Sequence, residues 1–106
     1  MKLVVVVIKP FKLQGCLAAL AELGVHQVVH SEARGYGRQK DHLQEYRDDR
    51  LAVAFLPKSR VEFVVEDDRL AQALEAVCQA CRTGRQGDGK IWVLDARSVS
   101  PQAVAQ

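Results

Sequence analysis

The chain has 106 residues, 48% of them hydrophobic and 26% charged, with a formal net charge of +2. That length supports one domain rather than two, and bases interleaved with acids at so small a net charge exclude a nucleic-acid-binding surface built on basic charge. No apolar stretch reaches the roughly 18 residues of a membrane span, so direct membrane insertion is not expected, and three cysteines make no disulfide framework, which points to a reducing cytoplasm.

The opening "MKLVVVVIKP" has one lysine, a short apolar run and no small-residue cleavage site, so it predicts a strand over 2–9 rather than a signal peptide. Val4, Val6 and Ile8 alternate with Leu3, Val5 and Val7, and a strand apolar on both faces is usually buried on both. From Phe11 to about Leu23, Leu13, Cys16, Leu17 and Leu20 fall at helical spacing, and Gly24 supplies the stop. Residues 25–36 read as a second strand. Residues 37–50, "GRQKDHLQEYRDDR", are polar and long for a hairpin loop, and loops of that length are usually functional or mobile. Arg38, Lys40, Arg47 and Arg50 balance Asp41, Glu45, Asp48 and Asp49. So little apolar surface is available there that burial does not offset the entropy of ordering, and mobility is expected over about 38–52.

"LAVAFLP" and "RVEFVVE" predict strand, with Pro57 at a bend or edge. Asp67 and Asp68 are N-cap candidates for a helix over 69–82, with Leu70, Leu74, Val77, Cys78 and Cys81 as its core stripe. After a glycine-rich segment, "KIWVLDA" is the last strand, and 97–106 is weakly patterned. Strand, helix and terminal glycine recur in the two halves around the long loop. The expected fold is therefore a single α+β domain, a ferredoxin-like βαββαβ sandwich over 1–106. Right-handed crossovers put both helices on one face of the sheet, leaving an apolar opposite face that calls for oligomerisation without specifying its symmetry.

No Ser-His-Asp set, Cys-His set or paired-carboxylate site stands out. On a strand, His26 and His30 share one face, an arrangement commoner at a surface than at a metal. Cys78 and Cys81 have CxxC spacing but fall near a helix C-terminus, where the dipole does not activate a thiol; small buried apolar residues are the stronger reading. "TGRQGDGK" at 83–90 is not a Walker A loop, since its glycines are spaced differently and Lys90 leads into a strand rather than a helix. Backbone amides freed by Gly84, Gly87 and Gly89, with Lys90, Arg82 and Arg85, suit an anion; a tight helix-to-strand turn would need only one or two glycines. "GYGRQK" at 35–40 has the same character, and the two clusters together suit a phosphate-binding cleft formed on oligomerisation.

"VIKPFKL" at 7–13, "GYGRQK" at 35–40, "FLPK" at 55–58, "VEFVVEDD" at 61–68 and "RTGRQGDGKIWVLD" at 82–95, in this order, resemble the PII signal transduction proteins over nearly the whole chain. The resemblance implies a homotrimer, an adenine nucleotide (ADP, AMP or ATP) in each intersubunit cleft, and a T-loop, about 37–55, that docks on a partner such as a membrane transporter. It implies that Val7, Gly35 and Val64 line the adenine and that Gly37, Arg38, Gly87, Asp88, Gly89 and Lys90 surround the phosphates, with Arg82 and Thr83 reaching across the subunit boundary. The glycine-rich segment 82–90 is then the family's B-loop, and 96–106 its C-terminal segment. Gln39 would meet magnesium held by ATP. Gln39, Lys40 and Lys58 would form a site for 2-oxoglutarate or another small anion. The partner-facing T-loop residues would be Asp41, His42, Tyr46, Arg47, Asp49 and Leu51.

Departures from the family pattern are specific. Leu51 stands where many members have a tyrosine that is uridylylated, and Asp49 where some have a phosphorylated serine, so neither modification can occur there. Asp41 replaces a glycine beside the 2-oxoglutarate site, adding a Cβ and a negative charge. Pro101 and Ala103 replace two arginines that commonly clamp the phosphates. The pattern resembles a divergent PII paralogue that regulates a transporter. Alternatives are a conventional nitrogen-regulatory sensor of ATP and 2-oxoglutarate, and a metal-binding or redox module using Cys78 and Cys81. A third, an enzyme, has no evident general base to support it.

Overall fold

In the computed structural model, which describes residues 1–35, 56–85 and 88–101, the apolar alternations form a four-stranded antiparallel sheet in the order β2-β3-β1-β4. The strands are β1 (Lys2–Ile8), β2 (Val28–Gly35), β3 (Leu56–Val65) and β4 (Gly89–Asp95), with helices α1 (Leu13–Glu22) and α2 (Leu70–Cys81) between them. This is the ferredoxin-like arrangement. The first strand in sequence lies inside the sheet, paired along its length with β3 (Val4 opposite Phe63) and β4 (Val4 opposite Val93).

Val4, Val6 and Ile8 of β1 and Val61, Phe63 and Val65 of β3 face the helices and are buried with Cys16 and Leu20 of α1 and Ala73, Val77 and Cys81 of α2. The opposite face carries Leu3, Val5 and Val7, flanked by Val29, Val64, Trp92 and Leu94, which are 65%, 45%, 50% and 48% exposed. The helices thus pack on one face of the doubly apolar first strand, while its second face is screened from the sides, with Val5 only 8% exposed.

The elements differ from expectation in ways with physical causes. Asp67 and Asp68 do not cap a helix through their side chains. They open a 3-10 turn, Asp67–Arg69, ahead of α2, and the Asp67 carboxylate accepts a hydrogen bond from the Met1 ammonium at 2.7 Å. β2 begins at Val28 because the segment before it is turned back, with the Val25 amide donating to the Leu20 carbonyl at 2.9 Å. His26 thus precedes the strand, and the alternation that would align it with His30 does not hold. Pro57 lies within β3 but beyond the end of the β1 ladder, which stops at Ile8 opposite Ser59, so its missing N–H falls where the strand has lost one neighbour. Cys78 is half-buried and outside the core; Ala73 takes a buried place on α2 that the expected stripe did not include. Among the described residues no helix is long and apolar enough to cross a membrane.

Leu20 is fully buried between the sheet and α2. Leu20→Ala should lower unfolding stability by about 2–5 kcal/mol, read from the urea midpoint at unchanged m-value.

Candidate functional site

Strand alternation sorts the expected site residues. Val7 of β1, Lys58 and Val64 of β3 and Lys90 of β4 all lie on the open face, because their neighbours Val6, Ile8, Ser59, Val65 and Ile91 turn toward the helices. Val7 is directly opposite Lys90 on one side and Arg60 on the other. Gly35 ends β2 in register with Leu56, at the end of the sheet where Lys58 lies. The structure thus brings an apolar strip and two lysines onto one surface. Gly37, Arg38, Gln39, Lys40, Asp41, His42, Tyr46, Arg47, Asp49, Leu51, Gly87 and Ala103 lie outside the described residues.

The glycine loop leaves α2 at Cys81 and returns to the sheet at Gly89. Two of its glycines have steric reasons to be there. Gly84 has φ +78, and at Gly89, φ +133, a Cβ would lie 2.1 Å from the Val7 carbonyl oxygen. β4 therefore joins β1 only with glycine at this position. Between them, the loop closes on the chain's own carboxylate. Asp88 accepts hydrogen bonds from the Thr83 amide at 2.9 Å, the Gly84 amide at 3.0 Å and the Thr83 hydroxyl, and pairs with the Lys9 ammonium at 3.5 Å. The Thr83 hydroxyl in turn accepts from the Arg85 amide at 3.2 Å.

The Thr83 hydroxyl, then the Thr83 and Gly84 amides and Lys9, hold the Asp88 carboxyl down at about 2, despite partial desolvation. The Gly84 amide, expected to be open to an external anion, is thus engaged by Asp88 together with the Thr83 amide. Asp88 itself, expected to contact phosphate, has its side chain committed to the loop. The bland reading of the loop as a tight turn accounts for Gly84 and Gly89, while Arg82 and Lys90 remain exposed beside it. Lys58 lies close enough to Lys9 and Asp88 to feel both: burial first, then the Lys9 charge, lowers its pKa, and Asp88 opposes them. Lys9 was missed in the sequence, where its place directly after an apolar strand and before Pro10 gave it no chemical partner.

The cysteines also regroup. Cys81 shares a buried cluster with Cys16 of α1, while Cys78 stays outside it, and no local spacing could announce neighbours on different helices. Among the described residues no group of three or more His, Cys, Asp or Glu side chains could hold a metal ion.

Comparison with known proteins adds the decisive observation. The family model for nitrogen regulatory protein P-II matches residues 1–101. The chain belongs to the PII nitrogen regulatory protein family. It is 48% identical over 93 residues to the nitrogen regulatory protein P-II of Rhodospirillum rubrum, covering 88% of this chain and 83% of that one. It is 46% identical over 99 residues to the P-II protein of Azospirillum brasilense, and 42% over 99 residues to the nitrogen regulatory protein GlnK of Escherichia coli K12, in each case covering 93% of this chain and 88% of the relative. The family model and these relatives are all named as nitrogen regulatory proteins, and this chain is a signalling regulator rather than an enzyme.

The depressed Asp88 pKa sets a pH dependence. A carboxylate stabilised in the folded protein contributes fully above its ordinary range and loses that contribution as pH falls toward about 2. The loop should accordingly stay closed through mild acid. Asp88→Asn should remove this dependence and speed amide exchange at Thr83 and Gly84 several-fold at neutral pH, as measured by NMR.

Proposed function

We propose that the protein is a trimeric PII-type regulator that binds an adenine nucleotide in the clefts between subunits and acts on a partner, a transporter or another regulated protein, through residues 37–55. The supporting observation is the common open face of Val7, Val64, Lys58 and Lys90 beside the glycine loop. Its apolar strip fits a planar base, and its lysines fit anionic groups. Among the described residues Val7, Gly35 and Val64 would hold the adenine, with Lys90 and Gly89 at the phosphates and Arg82 and Thr83 reaching across the subunit boundary. Gly37, Arg38, Gln39 and Gly87 would complete the site, with Gln39 meeting any magnesium that ATP carries. The nucleotide supplies polyanionic charge, and the chain's part is to orient it and convert its charge state into loop position.

The apolar open face supports self-association. Val29, Val64, Trp92 and Leu94 are more exposed together than a monomer usually tolerates. Light scattering at micromolar concentration should give three times the chain mass; a stable monomer would remove the shared cleft.

Charge supports a preference among ligands. Pro101 and Ala103 leave the outer phosphates without two cations common in the family, so ADP or AMP should compete well with ATP. Asp41 should disfavour 2-oxoglutarate by like charge. The identity with proteins named as nitrogen regulators, together with retention of Lys58, favours a second reading, a conventional sensor of ATP and 2-oxoglutarate. Calorimetry separates them. In the first, ADP and ATP bind comparably and 2-oxoglutarate adds nothing; in the second, 2-oxoglutarate binds at micromolar levels only with Mg-ATP. In both, Lys90→Ala should weaken nucleotide binding by about 1.5–3 kcal/mol, and unchanged affinity would reduce the glycine loop to a turn.

A further inference from the structure

Cys16 and Cys81 lie in the same buried cluster where α1 packs on α2, 0% and 6% exposed, and the two helices touch at the residues just before them, where a Cβ at Gly15 would lie 3.9 Å from the Ala80 carbonyl oxygen. Their difference in surroundings is chemical. Cys16 is sealed in the core, whereas Cys81 also lines a cleft of about 160 Å³ together with Cys78, Asp88, Gly89 and Ile91. That cleft is on the helix side of the sheet, away from Val7 and Val64, and it exceeds the roughly 30 Å³ share of one water molecule several-fold. Cys81 is the last residue of α2, and the Arg82 amide still bonds to the Cys78 carbonyl at 3.0 Å before the glycine loop departs.

We propose that Cys16 and Cys81 form an oxidisable dithiol that a small hydroperoxide, entering by this cleft, converts to a disulfide tying α1 to the base of the glycine loop. The Cys81 thiolate attacks one peroxide oxygen and the O–O bond breaks. This leaves a sulfenic acid on Cys81, and the departing oxygen takes a proton to become water or an alcohol. Cys16 sulfur then attacks the Cys81 sulfur, and the expelled hydroxide takes the Cys16 proton as water. The two thiols together lose two electrons and two protons, and the hydroperoxide is reduced. The order of events follows from access, since of Cys16 and Cys81 it is Cys81 that meets the cleft. It also follows from the pair's polarity: the neighbouring Cys16 thiol lowers the pKa of Cys81, while Cys81 and burial raise the pKa of Cys16.

The consequence is mechanical. Thr83 and Gly84, whose amides hold Asp88, lie two and three residues past Cys81, so a bond at Cys81 shortens the free length of chain on which the loop opens. This holds whether or not the loop receives a nucleotide.

The test uses the full chain, fully reduced and then treated with hydrogen peroxide. Titratable thiols should fall from three to one, and peptide mapping without reductant should recover a Cys16–Cys81 linked pair, reversed by dithiothreitol. Cys16→Val and Cys81→Ala should each abolish the linked pair, while Cys78→Ser should retain it. Amide exchange at Thr83 and Gly84 should slow in the oxidised protein and return on reduction. A Cys78–Cys81 bridge, bridges only between chains, overoxidation without a link, or three unreacted thiols would each overturn the proposal. So would a Cys16–Cys81 link that left loop exchange unchanged.

Discussion

The pairing of β1 with β3 on one side and β4 on the other is the constraint from which the rest of the molecule follows. Its register places Val4, Val6 and Ile8 under the helices and Val7 between Arg60 and Lys90 on the opposite face. A slip of one residue would exchange the two faces, and the buried stripe of β3 and the helices would lose its partner. The same register demands glycine at 89, since β4 begins against the β1 backbone with no room for a Cβ. A core requirement and a surface requirement are thus met by one strand, which is why it is apolar on both alternations.

The glycine loop inherits its position from that pairing and its shape from Asp88. One carboxylate gathers two amides, a hydroxyl and a lysine at the point where α2, β1 and β4 meet. A loop so closed presents its flanking cations, Arg82 and Lys90, from a defined base. It is also less available as an anion nest than its three glycines suggest, because an internal anion occupies part of it. The charge that Lys9 lends to Asp88 acts on Lys58 with the opposite sign, so the loop and the β3 lysine belong to a single electrostatic neighbourhood.

Membership in the PII family and the two-sided construction of the sheet agree on what kind of molecule this is. The helix side holds the buried core and carries stability. The open side exposes Val64, Trp92 and Leu94 and carries Lys58 and Lys90, and it is there that the proposed partner subunit and nucleotide would be received.

Much of this was legible in the sequence. The βαββαβ order, the stripe of Cys16 and Leu20, the alternation that separates Val4, Val6 and Ile8 from Leu3, Val5 and Val7, and the motifs that resemble the PII family all depend on local periodicity and composition, which a linear chain displays. What only the tertiary structure decided depends on long-range contact. It turned Asp67 from a helix cap into a partner of the amino terminus, set His26 outside its strand and left Cys78 half-buried. It gave the glycine loop's amides to Asp88, brought Lys9 to that carboxylate, and matched Cys81 with Cys16 rather than with its near neighbour. Periodicity names the face a residue occupies, but hydrogen-bond partners between segments far apart in the chain are chosen only when the sheet and helices pack.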